Sequence, residues 1–330
     1  MNDDFLAVPI GTLDDYLAAG CDPVTAEINA QIAARHAFNT SSYFRSFGRL
    51  PNYVEPRGYT EKIQWRKMFD RNPLFITWCD KLQAREFART RAPDLGFSEL
   101  LWAGDDADAM PLGDISPPFV VKPNNRSASI KRVRDAGDLD HAAIREECRS
   151  WLRLPAYGLH FNEWAYARSE TRILVERMLS GSRAPASPID FKLHVFAGKT
   201  RMIYRCDVRA EERGMYSPTW ELLRLDRWLW GRLDPFDGNH LPPKNLERMV
   251  AIAEALAAGI DYVRVDLYNI DGEIFFGELT PFPSSGFAYF IAKGAACDPH
   301  PPRGRDDAFG EHWTLPDIPW TTRMQNALIE

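Results

Sequence analysis

The chain has 330 residues, 45% of them hydrophobic, with 40 basic against 46 acidic side chains, a formal net charge of −6 and a pI near 5.7. That length can bury a substantial core and favours two or three lobes over one small module. The acidic balance argues against nucleic acid or an anionic membrane surface as the main partner, while leaving room for a local basic pocket around a phosphate.

Met1-Asn2-Asp3-Asp4 leads into no apolar run of the signal-peptide kind. The apolar stretch 251–260 is interrupted by Glu254 and is too short to cross a bilayer, so no transmembrane segment is expected. The five cysteines (Cys21, Cys79, Cys148, Cys206, Cys297) are scattered, with no C-x-x-C or Cys/His spacing. They read as reduced, space-filling thiols of a cytoplasmic protein.

In chain order, residues 24–90 read as helical: Leu74, Trp78, Cys79, Leu82 and Phe87 recur at roughly helical spacing after the start signal Asn72-Pro73. From Pro93 onward the apolar runs shorten and are bounded by Pro, Asp and Gly. Residues 118–121 (Pro-Phe-Val-Val) predict a buried strand ending at Lys122, and 173–175 (Ile-Leu-Val) a second ending at Glu176. Residues 191–196 alternate like a third strand, and 200–208 can pair back with it through Ala197-Gly198-Lys199. A helix is expected over 244–258, with Pro243 in its first turn, Gly259 as its stop, and Leu246, Met249, Val250, Ala253 and Leu256 on its apolar face. Residues 298–307 (DPHPPRGRDD) read as an irregular loop before a short tail carrying Trp313 and Trp320. Helices first, then strands with interspersed helices, indicate α+β lobes rather than a regularly alternating sheet.

The most informative segment is 262–280, YVRVDLYNIDGEIFFGELT, in which two β-rich runs flank the turn signal Asn269-Ile270-Asp271-Gly272. Arg264, Asp266 and Tyr268 share one face of the first strand; Phe276, Glu278 and Thr280 are expected to share one face of the second. A two-residue Asp271-Gly272 loop would pair Asp266 with Gly277 and leave Asp266 and Glu278 on opposite faces. A three-residue loop brings both acids to one face, where two carboxylates suit Mg²⁺. A shared metal site therefore requires the loop of odd length. The plain alternative is a surface hairpin with Arg264 paired to Glu278. Lys122, leaving a buried strand, suits phosphate oxygens as a flexible point charge, although a strand-end lysine taken alone is more often a solvated terminus. Lys81 carries less signal still, and Glu176 could cap a strand or bind a ligand amine.

As an ordered set these residues resemble the ATP-grasp superfamily, whose fold has two α+β lobes clamping ATP. The resemblance is carried by Asp80-Lys81, Phe-Val-Val-Lys122-Pro, Leu-Val-Glu176-Arg177-Met178-Leu179, Arg264-Val-Asp266 with Glu278-Leu-Thr280, and Pro283-Ser-Ser-Gly286, the last three similar to D-alanine–D-alanine ligases. Within the superfamily the chain resembles the teichuronopeptide-biosynthesis (TupA-like) branch. Tyr59-Thr-Glu-Lys-Ile-Gln-Trp65, Asp70-Arg-Asn-Pro73, Asp190-Phe-Lys192, Arg264-Val-Asp-Leu-Tyr268 and Phe276-Gly-Glu-Leu-Thr280 carry that likeness, which runs over about 40–315.

The resemblance implies a helical N-terminal region at 1–80, a first lobe at 81–172, a second lobe with the metal hairpin at 173–296, and a C-terminal loop and tail at 297–330. It implies ATP and Mg²⁺ as cofactors. Lys81 and Lys122 hold phosphates, Glu176 faces the adenine amino group with Arg177 and Leu179 giving backbone contacts, Asp190 lies near the ribose, and Lys192 points at the terminal phosphate. Asp266 and Glu278 coordinate Mg²⁺, with Thr280 where these ligases usually carry asparagine. Arg264 and Arg209 are candidates for the acyl-phosphate and substrate carboxylate, and Ser284, Ser285 and Gly286 form the substrate loop.

Two departures stand out: Thr280 itself, and the loop Pro-Asn-Asn-Arg126-Ser-Ala-Ser after Lys122, which lacks the family's histidine and glycines and leaves Arg126 to compensate by charge.

The implied activity is a carboxylate–amine ligase working through an acyl-phosphate on a cell-surface polysaccharide or peptide conjugate. Such chemistry relies on positioning, Mg²⁺ and cations, which agrees with the lack of a Ser-His-Asp or Cys-His set; His194 reads as a packed histidine. Three alternatives remain: a kinase acting on a hydroxyl, a glycosyltransferase-type enzyme using Asp106 and Asp108, and a protein that binds nucleotide without turnover.

Overall fold

The computed structural model describes residues 10–155, 157–179, 188–208, 210–236, 238–294 and 303–328. The first ninety or so residues form six short helices: α1 (Leu13–Ala18), α2 (Pro23–Arg35), α3 (Ala37–Phe47), α4 (Tyr59–Phe69), α5 (Leu74–Cys79) and α6 (Lys81–Arg91). Asp22 accepts from the amides of Val24 and Thr25 ahead of Pro23, and Asp80 accepts from Leu82 and Gln83, so each satisfies amides that a helix start leaves without partners.

Helix α4 is unusual because its polar side chains are buried. Arg66 bonds Asp261 at 2.6 Å and the Tyr262 carbonyl at 2.8 Å, while Gln64 accepts from Asn39 at 2.8 Å. A helix with four charged residues in eleven can lie inside the protein because each such residue has a partner.

The next strands are β1 (Leu100–Gly104), β2 (Phe119–Pro123), β3 (Lys131–Val133) and β4 (Ile173–Arg177), with α7 (His141–Arg153) between β3 and β4. They form one antiparallel sheet in the order β1-β4-β2-β3. Helix α7 covers it, with Ile144, Cys148 and Trp151 packed among Phe119, Val121, Val133 and Val175. Residues 173–177 lie in this sheet as β4, paired with both β1 and β2.

The larger sheet uses β5 (Asp190–Phe196), β6 (Lys199–Asp207) and β7 (Glu212–Tyr216), then β10 (Tyr262–Ile270) and β11 (Glu273–Thr280). Between them lie β8 (Leu225–Leu229), β9 (Arg232–Asp234) and α8 (Leu246–Leu256). The order is β11-β10-β5-β6-β7, antiparallel throughout. Strand alternation sends Leu193, Val195, Ile203, Val263 and Val265 into a core with Met249, Ile252, Ala253 and Leu256 of α8. Ala84 and Ala88 of α6 join that same core. The opposite face of the sheet therefore carries Lys192, His194, Arg264 and Asp266. A third sheet, β12-β8-β9, includes β12 (Ala288–Ala292) and packs Leu225 and Phe290 against Met202, Tyr204 and Met215.

The C-terminal part also differs from expectation. Residues 298–302 lie outside the described set, but α9 (Gly304–Gly310) and α10 (Trp320–Leu328) follow, and Trp313 is buried with its indole donating to Asp261 at 2.6 Å. Both helices dock on α4. Asp306 accepts from the Thr60 amide at 2.9 Å, the Thr60 hydroxyl at 2.7 Å and Arg49 at 2.8 Å, while Asn326 donates to the Phe69 carbonyl at 2.6 Å. The sequence concealed this, because the partners lie some 250 residues away and no local pattern announces them. Among the described residues no helix is long and apolar enough to cross a membrane.

Burial raises the Asp306 carboxyl to about 6 against the pull of Arg49. A carboxyl raised above its unfolded value stabilises fully below about pH 4 and loses that contribution as pH rises through the folded value. Relative to Asp306→Asn, the wild type should therefore lose on the order of 2 kcal/mol between pH 4 and pH 7. Urea unfolding midpoints of the two proteins across that range check it; parallel profiles would contradict it.

Candidate functional site

The hairpin of β10 and β11 carries the two acids, and its register differs from the expected one. Ile270 pairs with Glu273, so the loop is the two-residue Asp271-Gly272 turn, both residues having positive φ (55° and 100°). That turn alone would separate the acids. A bulge at Gly277 restores them: Leu267 pairs with Phe276, but Asp266 pairs with Glu278. One extra residue shifts the parity of the strand. Phe276, on the turn side of the bulge, enters the core opposite Leu267, and of the three expected residues Glu278 and Thr280 lie on the polar side. A Cβ at Gly277 would lie 2.7 Å from the Asp266 carbonyl, so glycine is what allows the bulge to close.

Around Asp266 the side chains form one charged network. Arg264 reaches Asp266 with both Nε and an η-nitrogen at 2.7 Å, and the same η-nitrogen reaches Glu278 at 2.8 Å and Thr280 at 3.2 Å. Thr280 donates its own hydroxyl to Glu278 at 2.9 Å. From β5, Lys192 bonds Asp266 at 2.8 Å and also pairs with Asp190. Burial would raise the Asp266 carboxyl, yet Arg264 and Lys192 together bring it down to about 2. Burial works against the charged forms of Lys192 and Arg264 as well, but the carboxylates facing them outweigh it and hold both firmly protonated. His194 is different: burial and the neighbouring Arg264 lower it to about 3, and its Nδ1 lies 2.9 Å from the Tyr262 hydroxyl. It is the packed, neutral histidine that the sequence suggested.

Asp190 keeps one oxygen, Oδ1, buried without a hydrogen-bond partner among the described residues. An orphaned carboxylate oxygen beside Lys192 is a place for a ligand hydroxyl or cation. Lys192 and Arg264 also line a cavity of about 50 Å³ with Tyr59, Tyr204, Arg227 and Ser284. Ser284 and Ser285 both have positive φ (49° and 55°), as does Gly286 (74°), so the expected substrate loop is held in a conformation most side chains avoid. Lys67 fastens it, donating to the Ser285 carbonyl at 2.9 Å. Arg209 lies outside the described residues.

The residues expected to face a nucleotide are brought together in a second group. Lys81 donates to the carbonyls of Pro123, Asn124 and Arg126, the last at 2.6 Å, and burial with the nearby Lys122 lowers it to about 8. Lys122 pairs with Glu176 at 2.6 Å, and the other oxygen of Glu176 accepts from Arg85 at 2.8 Å. Glu176 is thus held by two cations. The Arg177 amide bonds the Glu99 carbonyl at 2.8 Å, and Leu179 is half-buried at the end of this segment. Lys81, Arg126, Tyr166 and Glu278 meet around a cavity of about 20 Å³.

A family model described as TupA-like ATPgrasp matches residues 61–296. The chain belongs to the TupA-like ATP-grasp family. No curated protein sequence matches it. Among solved structures it is similar to D-alanine–D-alanine ligase from Bacillus anthracis complexed with ATP (18% identity, TM-score 0.36, 62% of this chain and 54% of that one). It is also similar to D-alanine–D-alanine ligase from Helicobacter pylori (14%, 0.39, 73% and 60%) and to an L-amino acid ligase from Bacillus licheniformis (15%, 0.38, 63% and 44%). The chain thus spans about half the length of these proteins.

In this TupA-like ATP-grasp chain the loop after Lys122 has no glycine, and its side chains pin it instead. Asn124 donates to Asp80 at 2.9 Å and accepts from the Arg172 amide at 2.8 Å, while Asn125 donates to the Ser169 carbonyl at 2.8 Å. Arg126 spends its guanidinium on the carbonyls of Leu154 and Pro155, so its charge is not simply aimed at a ligand as the sequence suggested.

Two other residues went unnoticed in the sequence. Arg85 could have been found four residues after Lys81, on the same face of α6. Gly277 could have been found as a lone glycine inside a strand. The alternative acidic motif is a solvated turn: Asp106 accepts from the Asp108 amide, and exposed Asp108 pairs with Arg149. Among the described residues no group of three or more His, Cys, Asp or Glu side chains converges as a metal site, so Asp266 and Glu278 stand as a pair.

Gly277→Ala should destabilise the protein by about 1–3 kcal/mol and weaken ATP binding at least severalfold. Gly113→Ala, where an added Cβ meets nothing, serves as the control. Urea unfolding and calorimetric titration read both effects, and a variant indistinguishable from the control would remove the bulge from the argument.

Proposed function

We propose that the chain is an ATP-dependent ligase that joins a carboxylate to an amine through an acyl-phosphate. The observation that carries this reading is the convergence of Lys192, Arg264, Asp266 and Glu278 on one polar sheet face, in a chain of ATP-grasp family. Two carboxylates facing one another around a guanidinium offer oxygen ligands that Arg264 and Lys192 occupy as the structure stands, and Mg²⁺ accepts such a partial protein set completed by phosphate oxygens and water. Asp266 and Glu278 would hold it, with Thr280 a neutral neighbour. Bound there, Mg²⁺ would neutralise charge on the transferred phosphoryl group.

In the first step a carboxylate oxygen of the substrate forms a bond to the terminal phosphorus as the bond to ADP breaks. In the second, an amine nitrogen bonds to the acyl carbon, the C–O bond to phosphate breaks, and the amine's proton passes to solvent. Lys192, fixed by Asp190 and Asp266, supplies a positive charge for the phosphoryl oxygens. Arg264 would stabilise the oxyanion of the tetrahedral intermediate. The strained loop Pro283–Gly286 offers the Ser284 hydroxyl beside both cations. Neutral His194 supplies no acid at neutral pH, and this chemistry needs none. On the nucleotide side, Lys81, Lys122, Glu176, Arg177, Leu179 and Asp190 would take the roles implied by the family. Binding would then require Glu176 to exchange part of its pairing with Lys122 and Arg85 for the ligand. A polysaccharide or peptide-conjugate carboxylate is the substrate class we favour.

The test is incubation with Mg-ATP, candidate carboxylates and hydroxylamine. Carboxylate-dependent ADP release with trapped hydroxamate is expected, and Lys192→Met or Asp266→Asn should lower it by about 100-fold or more. A stable phosphorylated alcohol would mark a kinase instead. Nucleotide binding without ADP release, for any carboxylate or alcohol tried, would falsify turnover and leave a binding protein.

A further inference from the structure

Strand pairing sets an imidazole beside the guanidinium of the charged hairpin. His194 of β5 and Arg264 of β10 are direct cross-strand partners, so their side chains are neighbours on the polar sheet face. Both line the cavity of about 50 Å³ that Lys192 and Ser284 also border. That space admits a carboxylate group rather than a whole substrate.

A buried chain of hydroxyls orients the imidazole. Nδ1 of His194 lies 2.9 Å from the Tyr262 hydroxyl, which in turn lies 2.8 Å from the Tyr59 hydroxyl, and all three side chains are buried. A phenol O–H is a stronger acid than a neutral imidazole N–H, and an imidazole nitrogen a stronger base than a phenol oxygen. Tyr59 therefore donates to Tyr262 and Tyr262 to Nδ1, which gives both buried hydroxyl protons an acceptor. The reverse order would leave the Tyr59 proton without one among the described residues. Burial and the adjacent Arg264 keep the ring neutral, so its single N–H is on Nε2. Phe290 and Tyr59 meet the ring edge-on, with centroids 5.7 and 6.1 Å away, and fix its plane.

From this geometry we infer that His194 binds the substrate carboxylate, donating its Nε2–H beside an η-nitrogen of Arg264. Among the described residues Nε2 has no hydrogen-bond partner. Nor has Nη1 of Arg264, whose Nε and Nη2 bond Asp266, Glu278 and Thr280. Two N–H groups on adjacent strands match the two oxygens of one carboxylate. Tyr262, backed by Tyr59, acts through the ring as a positioning residue. The occupant's identity as substrate rests on the ligase reading, whereas the tautomer and carboxylate binding are measured without nucleotide.

The test begins with two-bond proton–nitrogen spectra of the full chain labelled with ¹⁵N-histidine, the His194 signals being identified by their loss in His194→Gln. At neutral pH the proton should be on Nε2; a proton on Nδ1 overturns the inference, and the wild-type spectra decide this even where a variant does not fold. Acetate, a carboxylate that fits the cavity, should shift the Nε2 signals on titration. Its affinity should fall about tenfold or more in His194→Asn, whose amide stops at the Nδ1 position, and stay within about threefold in His194→Gln, whose amide reaches the Nε2 position. Tyr262→Phe keeps the carbonyl that Arg66 bonds and should let the proton move partly to Nδ1; an unchanged tautomer there removes the positioning role. No acetate-dependent shift, or equal losses in the Asn and Gln variants, also overturns the inference. Carboxylate-dependent ADP release with a carboxylate KM unchanged in His194→Asn defeats it and leaves the ligase reading standing. Acetate binding at His194 without ADP release for any carboxylate does the reverse.

Discussion

One inserted glycine governs the geometry of the charged hairpin. Gly277 bulges out of β11, and everything on the far side of it changes face relative to the turn. Without the bulge the two-residue turn would leave Phe276 opposite Leu267 in the core but would send Glu278 and Thr280 into the core as well, which Glu278 could not tolerate. With it, Phe276 fills the core while Glu278 and Thr280 meet Arg264. The requirement is steric: the Asp266 carbonyl occupies the space a side chain would need.

The network that results is costly to bury and is stable only as a whole. Asp266, Lys192 and Arg264 are each desolvated, and each is held charged by the others. Removing one leaves an uncompensated charge in a low-dielectric place, which costs more than the pair contributes. The same logic holds at Glu176, clasped by Arg85 from one side and Lys122 from the other. Helix α6 links the two groups, because Lys81 and Arg85 reach the first sheet while Ala84 and Ala88 pack in the core of the second.

The N-terminal helices do more than cover a core. Polar residues of α4 are buried because they tie distant segments together: Arg66 to Asp261, Lys67 to the Ser285 loop, Thr60 to Asp306. Hydrogen bonds of this kind position the substrate-loop candidate from behind. They also join the C-terminal helices to the same scaffold, so the ends of the chain support the middle.

By itself the sequence determined the α+β class, the strands ending at Lys122 and Glu176, the helix before the hairpin, and the alternation that puts Arg264 and Asp266 on one face. These are local properties: periodicity, capping and turn residues act over a few positions. The ordered motifs also pointed to the family that the chain proved to belong to. Only the tertiary structure decided the register of Glu278, the membership of β4 in the first sheet, the helices hidden in the C-terminal tail, and the partners that already occupy Lys81 and Glu176. The reason is physical. Strand pairing and buried ion pairs are set by residues tens to hundreds of positions apart, and a single bulge reverses a face without altering the hydrophobic pattern on either side of it.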